Sequence, residues 1–117
     1  MAVSEFKSLL QNVSVSVPAG ATPSSDVVDL HGCCAVAFEF PNMAGTAITF
    51  LKELADGVTY SELKDESGNA RSVSVPTGGG VVSLDDPVKM ISLRRFKIKS
   101  NGTETAAKTI VINARPL

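Results

Sequence analysis

From Val13 onward, apolar residues recur mostly at every second position, in short runs broken by glycine, proline and polar turns. That period belongs to strands with one face buried. Val13, Val15 and Val17 alternate with serines and stop at Pro18-Ala19-Gly20. After the polar loop ATPSSD, residues 27–31 predict a short strand. Residues 33–40, CCAVAFEF, are almost continuously apolar up to Glu39, which predicts a central strand covered on both faces and ended by Pro41-Asn42.

Residues 46–54 and 58–63 predict a hairpin. Ile48 and Phe50 keep period two, Asp56-Gly57 supplies the turn, and Val58, Tyr60 and Leu63 restart the apolar pattern. Residues 65–69, DESGN, predict a second polar turn. Short strands follow at 72–75 and 81–84, separated by a flexible loop, Pro76-Thr77-Gly78-Gly79-Gly80. Asp85-Asp86-Pro87 places acids before a proline at a first helical position, so one helical turn is expected over 87–91.

Residues 92–100 and 108–113 predict the last two strands, bracketing Asn101-Gly102 as a second hairpin. Leu93, Arg95, Lys97 and Lys99 share one alternating set, and Arg94, Phe96 and Ile98 the other. Phe96 and Ile98 should face the core, which leaves Arg95, Lys97 and Lys99 as a basic ladder outside, with Arg94 beside it. The ladder reads either as the solvated face of an edge strand guarded against aggregation or as a contact for an acidic patch on a neighbouring subunit. At the other end of the chain, residues 4–11 suggest a helical turn or two, with Ser4 as cap and Phe6, Leu9 and Leu10 on one stripe. So short a helix needs a surface to dock on. An arm over residues 1–12, packing through Phe6, Leu9 and Leu10 on a neighbouring subunit or on its own domain, is therefore expected. Roughly seven to nine short strands with frequent turns give an all-β class, an antiparallel β-sandwich resembling a jelly roll.

Composition narrows the class. A chain of 117 residues, 44% apolar and 20% charged, fits one globular domain spanning 1–117. Eleven basic against 12 acidic side chains argue against a nucleic-acid partner. No apolar run is long enough for a bilayer, and no cleaved secretion signal is expected. Cys33 and Cys34 are adjacent and cannot easily meet disulfide geometry, so two free thiols made in a reducing cytoplasm are expected.

Catalysis has little material. His31 is the only histidine, so any triad would have to be built around it. Asp29, His31 and Cys33 form a formal metal-ligand set without the fourth ligand that structural zinc needs. Asp65–Asn69 lacks the spaced acids of a calcium loop, and Gly78–Gly80 lacks the lysine of a phosphate loop. The acid pairs Asp85-Asp86 and Glu53 with Asp56 read as surface carboxylates. No enzyme activity, cofactor or metal is expected. For sugar binding, Phe38, Phe40, Phe50 and Phe96 are core material, leaving only Phe6 and Tyr60 as aromatic platforms.

The hairpin around ADGVTY and the late strand LRRFKIKS turning at NG into TIVI resemble, over residues 46 to 115, the small β-sandwich virion structural proteins of tailed bacteriophages. The resemblance implies a capsid decoration (cement) protein on the outer capsid surface, bound to the major capsid protein and self-associated as a dimer or trimer. A tail, fibre or baseplate component, or a glycan-binding adhesion module, is the alternative it implies. Phe6, Leu9, Leu10, Arg94, Arg95, Lys97 and Lys99 are the candidate subunit contacts.

Overall fold

Alternating segments become strands wherever a second segment can cover their apolar face and complete their hydrogen bonds. The computed structural model describes residues 11–24, 26–90 and 93–116. Its strands are β1 (Gln11–Val17), β2 (Val28–Asp29), β3 (Cys34–Phe40), β4 (Ala47–Glu53), β5 (Tyr60–Glu62), β6 (Ser72–Ser74), β7 (Gly80–Ser83), β8 (Arg95–Ser100) and β9 (Lys108–Arg115). A single 3-10 turn, Pro87–Met90, follows the acidic cap. The expected arm contacts Phe6, Leu9 and Leu10 lie outside the described residues. Gln11 and Asn12, assigned to that arm by the sequence, are instead the first residues of β1.

Two antiparallel sheets pack face to face. One has the order β1-β9-β3-β7, the other β2-β8-β4-β5, with β6 also on β4. Every connection crosses between sheets except those joining β4, β5 and β6. β5 and β6 lie end to end along β4, at Leu51–Glu53 and Ala47–Thr49 respectively. Between them the chain loops out through the 65–69 turn, closed by the Lys64–Ala70 bridge and by bonds from Ser67 and Asn69 N–H to the Asp65 carboxylate.

The inward sets meet in one hydrophobic core. Val15, Val17, Phe38, Phe40, Ile110 and Ile112 come from the first sheet, and Ile48, Phe50, Val73, Phe96 and Ile98 from the second. Four phenylalanines bridge the layers in a row. Phe40 stacks on Phe38 at 5.9 Å, Phe38 meets Phe50 at 5.9 Å, and Phe50 meets Phe96 edge-on at 5.8 Å. Edge-to-face and offset contacts of this kind add to plain burial.

Several expectations change. β3 is central in hydrogen bonding, but both faces are covered only at its start, where Cys34 and Ala35 are both buried; beyond the bulge between Ala35 and Ala37, Phe38 and Phe40 are buried while Glu39 is exposed. Leu93 does not join the outward set. The strand starts two residues later, so Leu93 turns into the core at 1% exposure. Val58 sits on the hairpin tip, 77% exposed. Asn101-Gly102 is not a hairpin turn, because β8 and β9 belong to different sheets. Pro76–Gly80 likewise carries the chain from one sheet to the other, and Gly79 lies so close to Phe40 and Pro41 that a Cβ would meet their backbone at 2.8 Å.

The 101–107 crossing is pinned to the 41–46 loop. Asn101 Oδ1 accepts from the Thr46 and Ala47 N–H groups. Glu104, only 2% exposed, accepts from Ala44 N–H, Gly45 N–H and the Ser100 hydroxyl, each at 2.9 Å. The two loops touch through glycines: a Cβ on Gly102 would lie 2.8 Å from Gly45 Cα.

Candidate functional site

β8 presents its candidate residues as alternation requires. Phe96 and Ile98 are fully buried, and Arg95, Lys97 and Lys99 lie on the outer face of the second sheet. Arg94 precedes the strand with an exposed side chain. The strand itself is not at an edge. It runs between β2 and β4, with Asp29 opposite Arg95 and Leu51 opposite Lys97. Edge protection therefore does not explain Arg95, the one ladder residue that β2 covers, whereas Lys97 and Lys99 lie beyond β2.

Neighbouring strands bring counter-charges to it. Arg95 Nη1 donates to Asp29 Oδ2 at 3.3 Å and its Nε to Glu53 Oε2 at 2.5 Å. Glu53 chiefly, with Tyr60 and Asp29 adding, holds the guanidinium pKa above its ordinary value. Asp29 in turn accepts the His31 backbone N–H at 2.8 Å, with the His31 ring 3.7 Å away. That backbone bond first, then the charges of His31 and Arg95, draws the Asp29 carboxyl below its ordinary range. Glu53 also lies opposite Tyr60, whose hydroxyl reaches Glu53 Oε2 at 3.4 Å. Lys97 Nζ stands 4.8 Å from the centre of the Tyr60 ring. This is the range in which a cation is attracted to an aromatic face. The result is a compensated band, Asp29–Arg95–Glu53–Tyr60–Lys97, across the sheet.

At the end of this band the β4–β5 hairpin projects. Its turn is fixed by Asp56, which accepts from Val58 N–H, Thr59 N–H and the Thr59 hydroxyl. The Thr59 hydroxyl, ahead of the two backbone donors, lowers the Asp56 pKa. Leu54 and Val58 stand exposed there. Beneath them Lys52, Glu53, Leu54, Arg94 and Arg95 line an open groove of about 200 Å³. Among the described residues, neither Arg94 nor Lys99 belongs to an ion pair. The surface thus offers loose cations and exposed apolar groups beside a neutralised band, which suits contact with a protein surface.

The structure brings Arg94 and Arg95 to this groove, places Lys97 and Lys99 further along the same face, and leaves Phe6, Leu9 and Leu10 outside the described residues. Sequence reasoning missed Asp29 and Glu53 as partners of Arg95. Their outward parity was available, but not the adjacency of β2 and β4 to β8. It also missed Glu104. As for the formal metal set, Asp29 and His31 meet, yet among the described residues no three His, Cys, Asp or Glu side chains converge. Both cysteines are free. Burial pushes the Cys34 thiol pKa up, and its Sγ donates to the Pro87 carbonyl. Tyr60, with Lys97 over its ring, is only partly available as a stacking platform.

Compared with known proteins, the chain matches no family model, no curated sequence and no solved structure.

Proposed function

We propose that the chain is a non-enzymatic structural protein of a tailed bacteriophage particle, a capsid decoration protein that self-associates and binds the assembled major capsid shell from outside. The strand order is the observation that carries this proposal. With β5 and β6 counted as one interrupted strand, the chain is a long hairpin rolled up: β4 pairs β5 and β6, β3 pairs β7, β2 pairs β8 and β1 pairs β9. We read this as a jelly roll, an architecture common in viral shells and also in lectins. The hairpin tip, its groove and the loose cations Arg94 and Lys99 supply the adhesive face. Phe6, Leu9 and Leu10 supply a second contact from the N-terminal arm.

The mechanism is mass action. A module that binds the finished lattice and not its separated subunits lowers the free energy of the lattice. Repetition over many equivalent sites turns modest contacts into a large total. The test is co-sedimentation with shells stripped of decoration, beside unassembled major capsid protein. Saturable binding to shells, reduced by replacing Phe6, Leu9 and Leu10 with alanine, is expected. Binding to unassembled subunits equal to that on shells would contradict the mechanism, and binding on a glycan array without shell binding would favour the adhesion alternative.

A further inference from the structure

The two sheets have four edges, and they are not alike. β7 has 4 residues and β2 has 2, while the edge beside β4 is divided between β5 and β6, with 3 residues each. Short or interrupted edges resist pairing with other chains. β1 is different. It has 7 residues, all paired with β9 in unbroken register. Its sequence, QNVSVSV, contains no charge and no proline. Among the described residues, no strand or backbone hydrogen bond occupies its other side.

We propose that this free edge pairs antiparallel with β1 of a second copy of the chain, joining two four-stranded sheets into one across a two-fold axis. The sequence is self-complementary in that arrangement. With Ser14 on the axis, Val13 falls opposite Val15, Asn12 opposite Ser16, and Gln11 opposite Val17. Each pair stays on one face, so buried Val15 and Val17 remain on the core side and exposed Asn12, Ser14 and Ser16 on the outer side. The next strand inward adds Thr109, Val111 and Asn113 to that outer face, all uncharged. The copies therefore meet without like charges across the seam. A two-fold contact of this kind uses the same patch on both partners and closes on itself. The inference deepens the self-association in the proposed function and is independent of shell binding.

Sedimentation equilibrium of the full chain should give a dimer. The variant N12K/S14K/S16K places lysine opposite lysine at every outer pairing and should raise the dissociation constant roughly tenfold or more. Circular dichroism should be unchanged, since all three side chains are exposed. S83K, on the opposite edge of the same sheet, should leave the dimer intact. Register is read separately, with Cys33→Ser removing the partly exposed native thiol. In that background, Ser14→Cys should cross-link under mild oxidation, because facing Cα atoms lie about 4.5–5.5 Å apart, within disulfide reach. Ser83→Cys should not. A monomeric full chain would overturn the proposal. A dimer indifferent to the three lysines would also overturn it, moving self-association to another surface. Co-sedimentation with shells reads the attachment function independently of either result.

Discussion

A carboxylate as enclosed as Glu104 keeps its charge only because donors surround it. Burial raises its pKa, but bonds from Ala44, Gly45 and Ser100, with the charge of Lys108, more than offset this and leave it below the ordinary 4.5. The folded chain therefore binds this proton less readily than the unfolded one. Its contribution is complete above the unfolded value and is lost as pH falls through the folded value. Glu104→Gln should cost about 1–3 kcal/mol at neutral pH and flatten the acid limb of the stability curve, read by urea unfolding at a series of pH values. Gly102→Ala should cost about 1–3 kcal/mol by crowding Gly45, visible as a lower unfolding temperature. Neither residue announces itself in SNGTETAAK, because the groups that bury Glu104 arrive from 59 and 60 residues away. Arg95 is a contrasting case. Its side chain is half exposed, so Arg95→Ala should cost far less than Glu104→Gln in the same urea unfolding, and that small cost should shrink in high salt.

β8 shows how far alternation carries. Period two assigned Phe96 and Ile98 inward and the basic ladder outward, and both hold. Whether a strand lies at an edge is decided by partners far away in sequence, so its place between β2 and β4 was not readable locally. β3 misled for a related reason: Cys34, Ala35, Val36 and Ala37 are small or branched enough to suit either face, and only Glu39 marks the exposed side. Asn101-Gly102 has hairpin chemistry, yet Asn101 spends its side chain on Thr46 and Ala47 while the chain changes sheet. The aromatic row from Phe40 to Phe96 was expected as core but not as a bridge between layers. Phe50 is one of its two inner members, touching rings from both sheets. Phe50→Ala should cost about 3–5 kcal/mol in denaturant unfolding, more than a substitution at a half-buried outward position of the same strand such as Thr49→Ala.

The fold class was readable because the alternating segments and turns outnumber everything else in the chain. The strand order was less so, since the sequence contains no statement of which distant strands meet. Assembly was beyond it altogether, because an interface is a property of two surfaces. The shape now in view is a sandwich with a compensated band on one face, a mostly uncharged face carrying Glu39 and Arg115 on the other, and a hairpin tip with exposed Leu54 and Val58 at one end. In the proposed function, a body of that kind clamps neighbouring subunits of a shell. A cryo-electron map of tailed-phage particles assembled with this chain tests the proposed function most directly. Density for this sandwich at repeated lattice positions on the outer shell, seated over junctions between major capsid subunits, is the expected result. A map with the sandwich confined to the tail, or with no density for it on the particle, would contradict the proposed function.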